Sequence, residues 1–172
     1  MPEPKFLKAT RADIPQLHRL VNSAYRGDSS RKGWTTEADF LDGIRVDPAG
    51  LLEMLENKNA VILLAKLGEI LAGCVYLLQQ GKKTYLGMLT VDPVLQAKGL
   101  GKKILSKSED WARENNSDKI EMTVITLREE LINWYERNGY HRTGEKKPFP
   151  DDPRFGIPKQ PLEFLVLEKE IR

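Results

Sequence analysis

The order of apolar and polar positions along the chain predicts strands and helices that follow one another closely. Apolar and β-branched residues are concentrated at 60–65, 70–79 and 85–91, with short polar segments between these runs. Runs of this length bounded by turn residues are typical of strands, and short connections favour an antiparallel meander. Further strands are predicted at 6–9, 119–125, 140–143 and 162–168.

Helical spacing of apolar residues appears in two long segments. One follows Thr10-x-x-Asp13, a capping box with Asp in place of Glu, and the other runs from Leu100 to about 112. Shorter helices are predicted at 37–44, capped by Thr36, and after Asp47-Pro48. A last helix is predicted between the capping box that starts at Thr126 and a C′ glycine at 139.

Together these elements predict an α/β (α+β) fold with helices on both faces of a mixed sheet. The helix from Leu100 lies between strands 85–91 and 119–125, so the crossover should be right-handed and the two strands parallel. Residues 147–161 contain five of the ten prolines and are predicted to form a long loop. We expect one domain, residues 5–172.

Composition excludes several classes of protein. The 27 Lys and Arg residues nearly balance the 25 Asp and Glu residues, which gives no electrostatic reason to bind nucleic acid or a membrane surface. No apolar run approaches 18 residues, and the first ten residues lack the apolar core of a signal peptide. One cysteine, Cys74, and two histidines do not make a disulfide or a familiar zinc site. A cytoplasmic, metal-free protein is expected.

The glycine-rich segment Q-A-K-G-L-G, residues 96–101, lies where a strand gives way to a helix. A helix N-terminus offers unpaired N–H groups to phosphate oxygens, and glycine lets a phosphate approach the backbone. Walker and Rossmann motifs both fit the segment poorly, because the glycines they require are missing. The alternative is that Gly99 and Gly101 only begin the helix.

The Q-x-x-G-x-G pattern resembles the pyrophosphate motif of the GNAT superfamily of acyl-CoA N-acyltransferases. The resemblance extends through strand 119–125 to N-W-Y-E-R-N-G-Y, residues 133–140, which is similar to that family's Y-[EK]-x-x-G-[FY] signature. It implies the GNAT acyltransferase fold, with a mostly antiparallel central sheet, flanking helices and splayed central strands. It also implies acetyl-CoA as cofactor.

The same resemblance implies a set of cofactor-binding residues. Backbone groups of the central strand would bind pantetheine, and amides of the glycine-rich segment would bind pyrophosphate. Arg128 stands where relatives commonly have asparagine; it either reaches a phosphate or points to solvent. The expected residues are Leu89, Thr90, Val91, Gln96, Ala97, Lys98, Gly99, Leu100, Gly101, Lys102 and Arg128.

Two residues are candidates for proton transfer. Tyr135 coincides with the family's tyrosine and is the candidate general acid for the leaving thiolate, with a core aromatic as the alternative. Some relatives carry a glutamate at the position of Thr123. Glu121 has the same strand parity and is the candidate base, with a solvent-facing structural role as the alternative.

The acceptor is expected to enter between segments 25–37 and 147–161. Tyr25, Trp34 and Phe155 would be apolar walls, and Glu37 would attract an ammonium unless it merely begins a helix. The implied function is N-acetylation of a primary amine, either a small molecule or a protein lysine or N-terminus, by a monomer or homodimer. An acyl-CoA-binding sensor without turnover is the alternative from another class.

Overall fold

A seven-stranded sheet forms the centre of the computed structural model, which describes residues 3–26, 36–95 and 99–172. The strand order is β1-β3-β4-β5-β6-β9-β7, and a separate pair is formed by β2 and β8. The strands are β1 (Lys5–Lys8), β2 (Leu41–Asp42), β3 (Ala60–Leu67), β4 (Ile70–Gln80), β5 (Lys83–Val91), β6 (Lys119–Ile125), β7 (His141–Pro148), β8 (Ile157–Pro158) and β9 (Glu163–Glu170).

Four α-helices occur among the described residues: α1 (Ile14–Tyr25), α2 (Pro48–Glu56), α3 (Leu100–Glu114) and α4 (Glu129–Arg137). The predicted capping box at Thr10 is present, and the Asp47 carboxylate caps α2 by accepting from Gly50 N at 2.7 Å. Gly139 follows α4 with φ +97°, the left-handed conformation of a C′ glycine. No described helix is long and apolar enough to cross a membrane.

Each face of the sheet is covered by helices, as the apolar pattern predicts. In β3, Ile62 and Leu64 pack into a core with α1 and α2, whereas Leu63 and Ala65 pack into a second core with α3 and α4. The alternation follows from the two-residue period of a strand, which sends neighbouring side chains to opposite faces. The meander β3-β4-β5 is antiparallel, as predicted.

The central sheet parts between the parallel strands β5 and β6. Their pairing begins at Lys83 with Lys119 and ends at Tyr85 with Glu121, although both strands continue. Just beyond that point β5 contains a bulge, because Met88 and Leu89 together oppose the single residue Val75 of β4. Met88 has φ +55°. The splayed central strands expected from the resemblance are therefore present.

The helix predicted at 37–44 is wrong. The chain makes a turn at 38–40 and then enters the short strand β2, which pairs with β8 from the proline-rich loop. Thr36 Oγ1 accepts from Ala38 N at 3.1 Å in a local turn rather than capping a helix. The pairing with β8 is distant in sequence, so local periodicity carries no sign of it.

Two further boundaries differ from expectation. Arg128, not Thr126, is the N-cap residue of α4, and its side chain makes no capping hydrogen bond. Strand β7 runs on to Pro148, so Lys147 and Pro148 are not part of the predicted loop. The strand lies at the sheet edge and is exposed along its whole length, which removes the apolar alternation that identifies other strands.

Candidate active site

A cleft of about 270 Å³ opens where β5 and β6 diverge. Strand β5 contributes residues 85–89 to its lining and β6 contributes residues 122–125. The residues that complete the wall come from helices, loops and the other strands β4 and β9. They are Tyr25, Arg26, Glu37, Arg45, Met54, Tyr76, Arg128, Leu131, Tyr135, Phe149, Pro150, Phe155 and Phe164.

Tyr135 reaches the cleft from α4 and is 5% exposed. Its ring packs edge-to-face on Trp134 and Tyr140, with centroids 5.1 and 5.8 Å away. Burial, together with the nearby Tyr25, raises the pKa of Tyr135 well above its usual value. The phenol therefore keeps its proton at neutral pH, as a proton donor must.

Tyr25 lies at the end of α1 and connects that helix to the central strand. Its hydroxyl donates a hydrogen bond to the Leu89 carbonyl, next to the bulge in β5. Burial raises the pKa of Tyr25 to about 12. The Arg45 and Arg128 guanidiniums lie 5.5 and 5.9 Å from the centre of its ring. Tyr25 thus lines the cleft and also fixes the strand at Leu89.

Glu37 is buried between two arginines. Arg26 Nη2 lies 2.8 Å from Glu37 Oε1, and Arg128 Nη1 lies 3.4 Å from Glu37 Oε2. Arg26 also donates to the Ile44 and Phe155 carbonyls, each at 3.0 Å. Glu37 lines the cleft, but the expectation that it begins a helix is wrong. With two guanidiniums bound, its carboxylate is poorly suited to attract an ammonium.

Arg128 is 8% exposed, so the alternative in which it points to solvent is wrong. Nη1 is held by Glu37, whereas Nη2 is buried and has no hydrogen-bond partner among the described residues. A buried guanidinium nitrogen without a partner is costly unless a ligand supplies an acceptor. The side chain starts at the beginning of α4 and ends over the Tyr25 ring.

Glu121 lies outside the cleft, at the last position where β6 pairs with β5. Burial opposes its ionisation, but a 2.8 Å hydrogen bond from Lys83 Nζ and the nearby Lys147 lower its pKa. A carboxylate that is held ionised by two cations is a weak base. Glu121 is therefore neither exposed to solvent nor part of the cleft. Thr123, on the same face of β6, lines the cleft instead.

The start of α3 is open to solvent on the side of Gly99. Gly99 is its N-cap with φ +80°, and no atom of the described residues lies within 4 Å of the position a Cβ would take. At Gly101 a Cβ would lie 3.3 Å from the Trp134 side chain, so this glycine also permits close packing of α3 on α4. Lys102 is exposed in the first turn, and Leu100 is in the core.

The remaining expected residues divide into two groups. Leu89, Thr90 and Val91 are buried in β5 beside the divergence, and Phe155 lines the cleft while 41% exposed. Gln96, Ala97, Lys98 and Trp34 lie outside the described residues. Sequence reasoning missed Arg26, Arg45 and Tyr85. Arg26 directly follows Tyr25, but nothing local distinguishes it from a solvent-exposed arginine.

Solved structures share this fold across nearly the whole chain. Ribosomal-protein-S18-alanine N-acetyltransferase from Escherichia coli has a TM-score of 0.72 at 13% identity, covering 98% of this chain and 94% of that one. The protein yncA from Salmonella typhimurium, solved with acetyl-CoA, has a TM-score of 0.72 at 18% identity, covering 99% and 95%. Ribosomal-protein-alanine N-acetyltransferase from Brucella melitensis has a TM-score of 0.72 at 20% identity, covering 96% and 99%. At these identities the similarity shows the fold.

This chain therefore has the fold of the solved N-acetyltransferases named above, with a central sheet that parts beside a buried tyrosine. The sequence profile of the Acetyltransferase (GNAT) family matches residues 14–140, and the chain belongs to this family. Its acetyl donor is accordingly acetyl-CoA, the cofactor of GNAT enzymes. A comparison with curated protein sequences gives no match.

Proposed function

We propose that the protein transfers an acetyl group from acetyl-CoA directly to a primary amine, with Tyr135 as general acid. The observation that carries this proposal is the position of Tyr135, which is buried in the cleft where β5 and β6 diverge. Cys74, the one cysteine, is buried, and burial raises its pKa to about 12. A covalent acyl-cysteine is therefore not part of the proposal.

Several features fit the residues to the cofactor. Backbone groups of Leu89, Thr90 and Val91 would hold the pantetheine arm, because β5 no longer pairs with β6 at this level. The open N-terminus of α3 at Gly99, with Gly101 and the exposed Lys102, would hold the pyrophosphate together with residues 96–98 and Leu100. Bound there, acetyl-CoA supplies a thioester activated for attack by nitrogen.

The chain's own groups then have limited, distinct tasks. A backbone N–H near Leu89 would stabilise negative charge on the carbonyl oxygen, and Tyr135 Oη would give its proton to the departing sulfur. Among the described lining residues the one carboxylate is Glu37, and two arginines bind it. The proton of the acceptor ammonium would therefore leave through water rather than to Glu37 or Glu121.

Segment 25–37 and the loop after β7 would form the acceptor side, with Tyr25 and Phe155 in the cleft and Trp34 as an expected further wall. The decisive experiment is a panel of primary amines assayed for release of free thiol from acetyl-CoA, with Tyr135→Phe beside the wild type. We expect transfer to at least one amine and a strong loss in the variant. Acetyl-CoA binding without transfer to any amine or protein substrate would instead favour the sensor.

A further inference from the structure

We propose that the acceptor carries a carboxylate beside its amine, as an amino acid does, and that Arg128 binds this carboxylate. The inference rests on the proposed function and specifies the class of its substrate. It starts from the Arg128 guanidinium, whose side chain is 6% exposed while Nη2 has no partner among the described residues. A carboxylate oxygen is the strongest partner for such a donor.

The charge of the cleft supports an anionic ligand. The described lining residues include three arginines (26, 45 and 128) and a single carboxylate, that of Glu37. Glu37 is bound on one oxygen by Arg26 and on the other by Arg128, so its charge is already compensated. The excess positive charge in a partly closed cleft attracts a carboxylate and disfavours an acceptor that is only cationic.

The position of the Arg128 guanidinium favours the acceptor over the cofactor phosphates. It stacks over Tyr25, which belongs to the core with α1, and it binds Glu37, whose backbone N donates to the Tyr25 carbonyl at 2.7 Å. Helix α3, whose first turn would hold the pyrophosphate, packs into the core on the opposite face of the sheet. Arg128 therefore extends toward the α1 face of the sheet, away from the helix that would hold pyrophosphate.

The rest of the cleft fits the remaining parts of an amino acid. Apolar side chains of Met54, Phe149 and Phe164 line it, which leaves room for an apolar substituent once the charged end is bound. Tyr135 and Arg128 line the same cleft. One ligand can then place its carboxylate at Arg128 and its amine beside the thioester.

The first test compares acceptors that differ in one group. Leucine, leucinamide and isoamylamine are assayed for acetylation, along with the same set built on methionine and phenylalanine. We expect kcat/KM for the amino acids to exceed that of the amides and amines by about 10- to 100-fold, the usual effect of a charge-assisted hydrogen bond. Equal rates for acid and amide, or transfer only to amines without a carboxylate, would overturn the inference and leave the proposed function intact.

The second test uses variants. In Arg128→Gln the preference for acid over amide should fall to within a few-fold, while Arg128→Lys, which keeps the charge but not the forked geometry, should retain part of it. Arg142→Gln is the matched control, because Arg142 is half exposed and lies outside the cleft. A rise in the KM of acetyl-CoA alone would assign Arg128 to the cofactor and refute the proposal.

A third measurement does not depend on turnover. N-acetyl-leucine and N-acetyl-leucinamide are titrated calorimetrically into the wild type in the presence of coenzyme A. The acid should bind at least about 10-fold more tightly than the amide, and Arg128→Lys should reduce the difference. Equal binding, or none by either compound, would contradict the inference even if the Arg128→Gln protein failed to fold or no amine were acetylated.

Discussion

Arg128 Nη1 and Glu37 Oε2 lie 3.4 Å apart, although 91 positions of sequence separate the two residues. Arg128 begins α4 at the carboxyl end of β6, whereas Glu37 follows the segment after α1. Their contact joins the two faces of the sheet across the gap between β5 and β6. Arg26 adds a second guanidinium to the same carboxylate, so three buried charges form one side of the cleft.

Because these charges are buried, we expect Glu37→Gln to destabilise the protein by about 3 kcal/mol, the typical cost of breaking a buried ion pair. The loss arises mainly from two guanidiniums left facing each other without the carboxylate. Urea unfolding at neutral pH measures it. Glu163→Gln is the control, because its ion pair with Lys146 is about half exposed and should be worth less than about 1 kcal/mol. A similar loss of stability in both variants would mean that the buried ion pairs of Glu37 contribute no more than an exposed ion pair.

Tyr135→Phe keeps the packing of the ring and removes the hydroxyl. We expect kcat to fall about 10²- to 10⁴-fold, the usual contribution of a general acid, with little change in acetyl-CoA binding. Tyr140→Phe is a matched control, since its hydroxyl is buried, has no partner among the described residues and lies outside the cleft. That variant should be fully active. Unchanged turnover in Tyr135→Phe, measured where chemistry limits the rate, would leave Tyr135 only a packing role.

Charge reversal at the start of α3 tests where the phosphates bind. Lys102→Glu places a carboxylate in the exposed first turn, and the dissociation constant of coenzyme A should rise about 5- to 10-fold because an anion is repelled there. Lys107→Glu, later in the same helix, makes the same charge change at a distance and should have a much smaller effect. Titration calorimetry distinguishes them. Equal affinities for both variants would place the phosphates away from this helix.

Glu121 predicts a pH dependence of stability. Its pKa is lowered in the folded protein, chiefly by Lys83 against the opposing effect of burial, so ionisation favours the folded state. The stabilisation is therefore complete above the unfolded pKa of about 4.3 and is lost as pH falls through the lower folded value. We expect Glu121→Gln to be less stable than wild type by less than about 1 kcal/mol at pH 7. By pH 3 the difference should have shrunk. A difference that is constant with pH would mean that packing, not charge, is responsible.

Most of the strands and helices could be predicted because each has a local signal. The period of β3 and the spacing in α1 and α3 reflect burial on one face or both, which the sequence records directly. A strand that is held only by pairing with a distant strand leaves no such local signal in the sequence. Strand β7 is exposed at the sheet edge, and β2 consists of two residues held by β8.

The site divides in the same way. Tyr135, Gly99 and Gly101 occur in motifs whose spacing is fixed along the chain, so their places at the cleft and at the start of α3 could be predicted from the sequence. The partners of Glu37 could not, because Arg26 and Arg128 reach it through the fold. Glu121 is predicted to lie in the site, and it does not. Strand parity correctly places it on the same face of β6 as Thr123. Parity does not show that the sheet is still closed at that level.

The short pair β2 and β8 ties segment 36–45 to the proline-rich loop. Lys159 N donates to the Phe40 carbonyl at 2.8 Å and Lys159 Nζ to the Ala38 carbonyl at 2.9 Å, while Arg26 holds the Phe155 carbonyl. Because hydrogen bonds join these two segments, neither segment can move away from the cleft without the other. Their amide protons should exchange with deuterium as one cooperative unit, and the two segments should act as one wall of the cleft toward the acceptor.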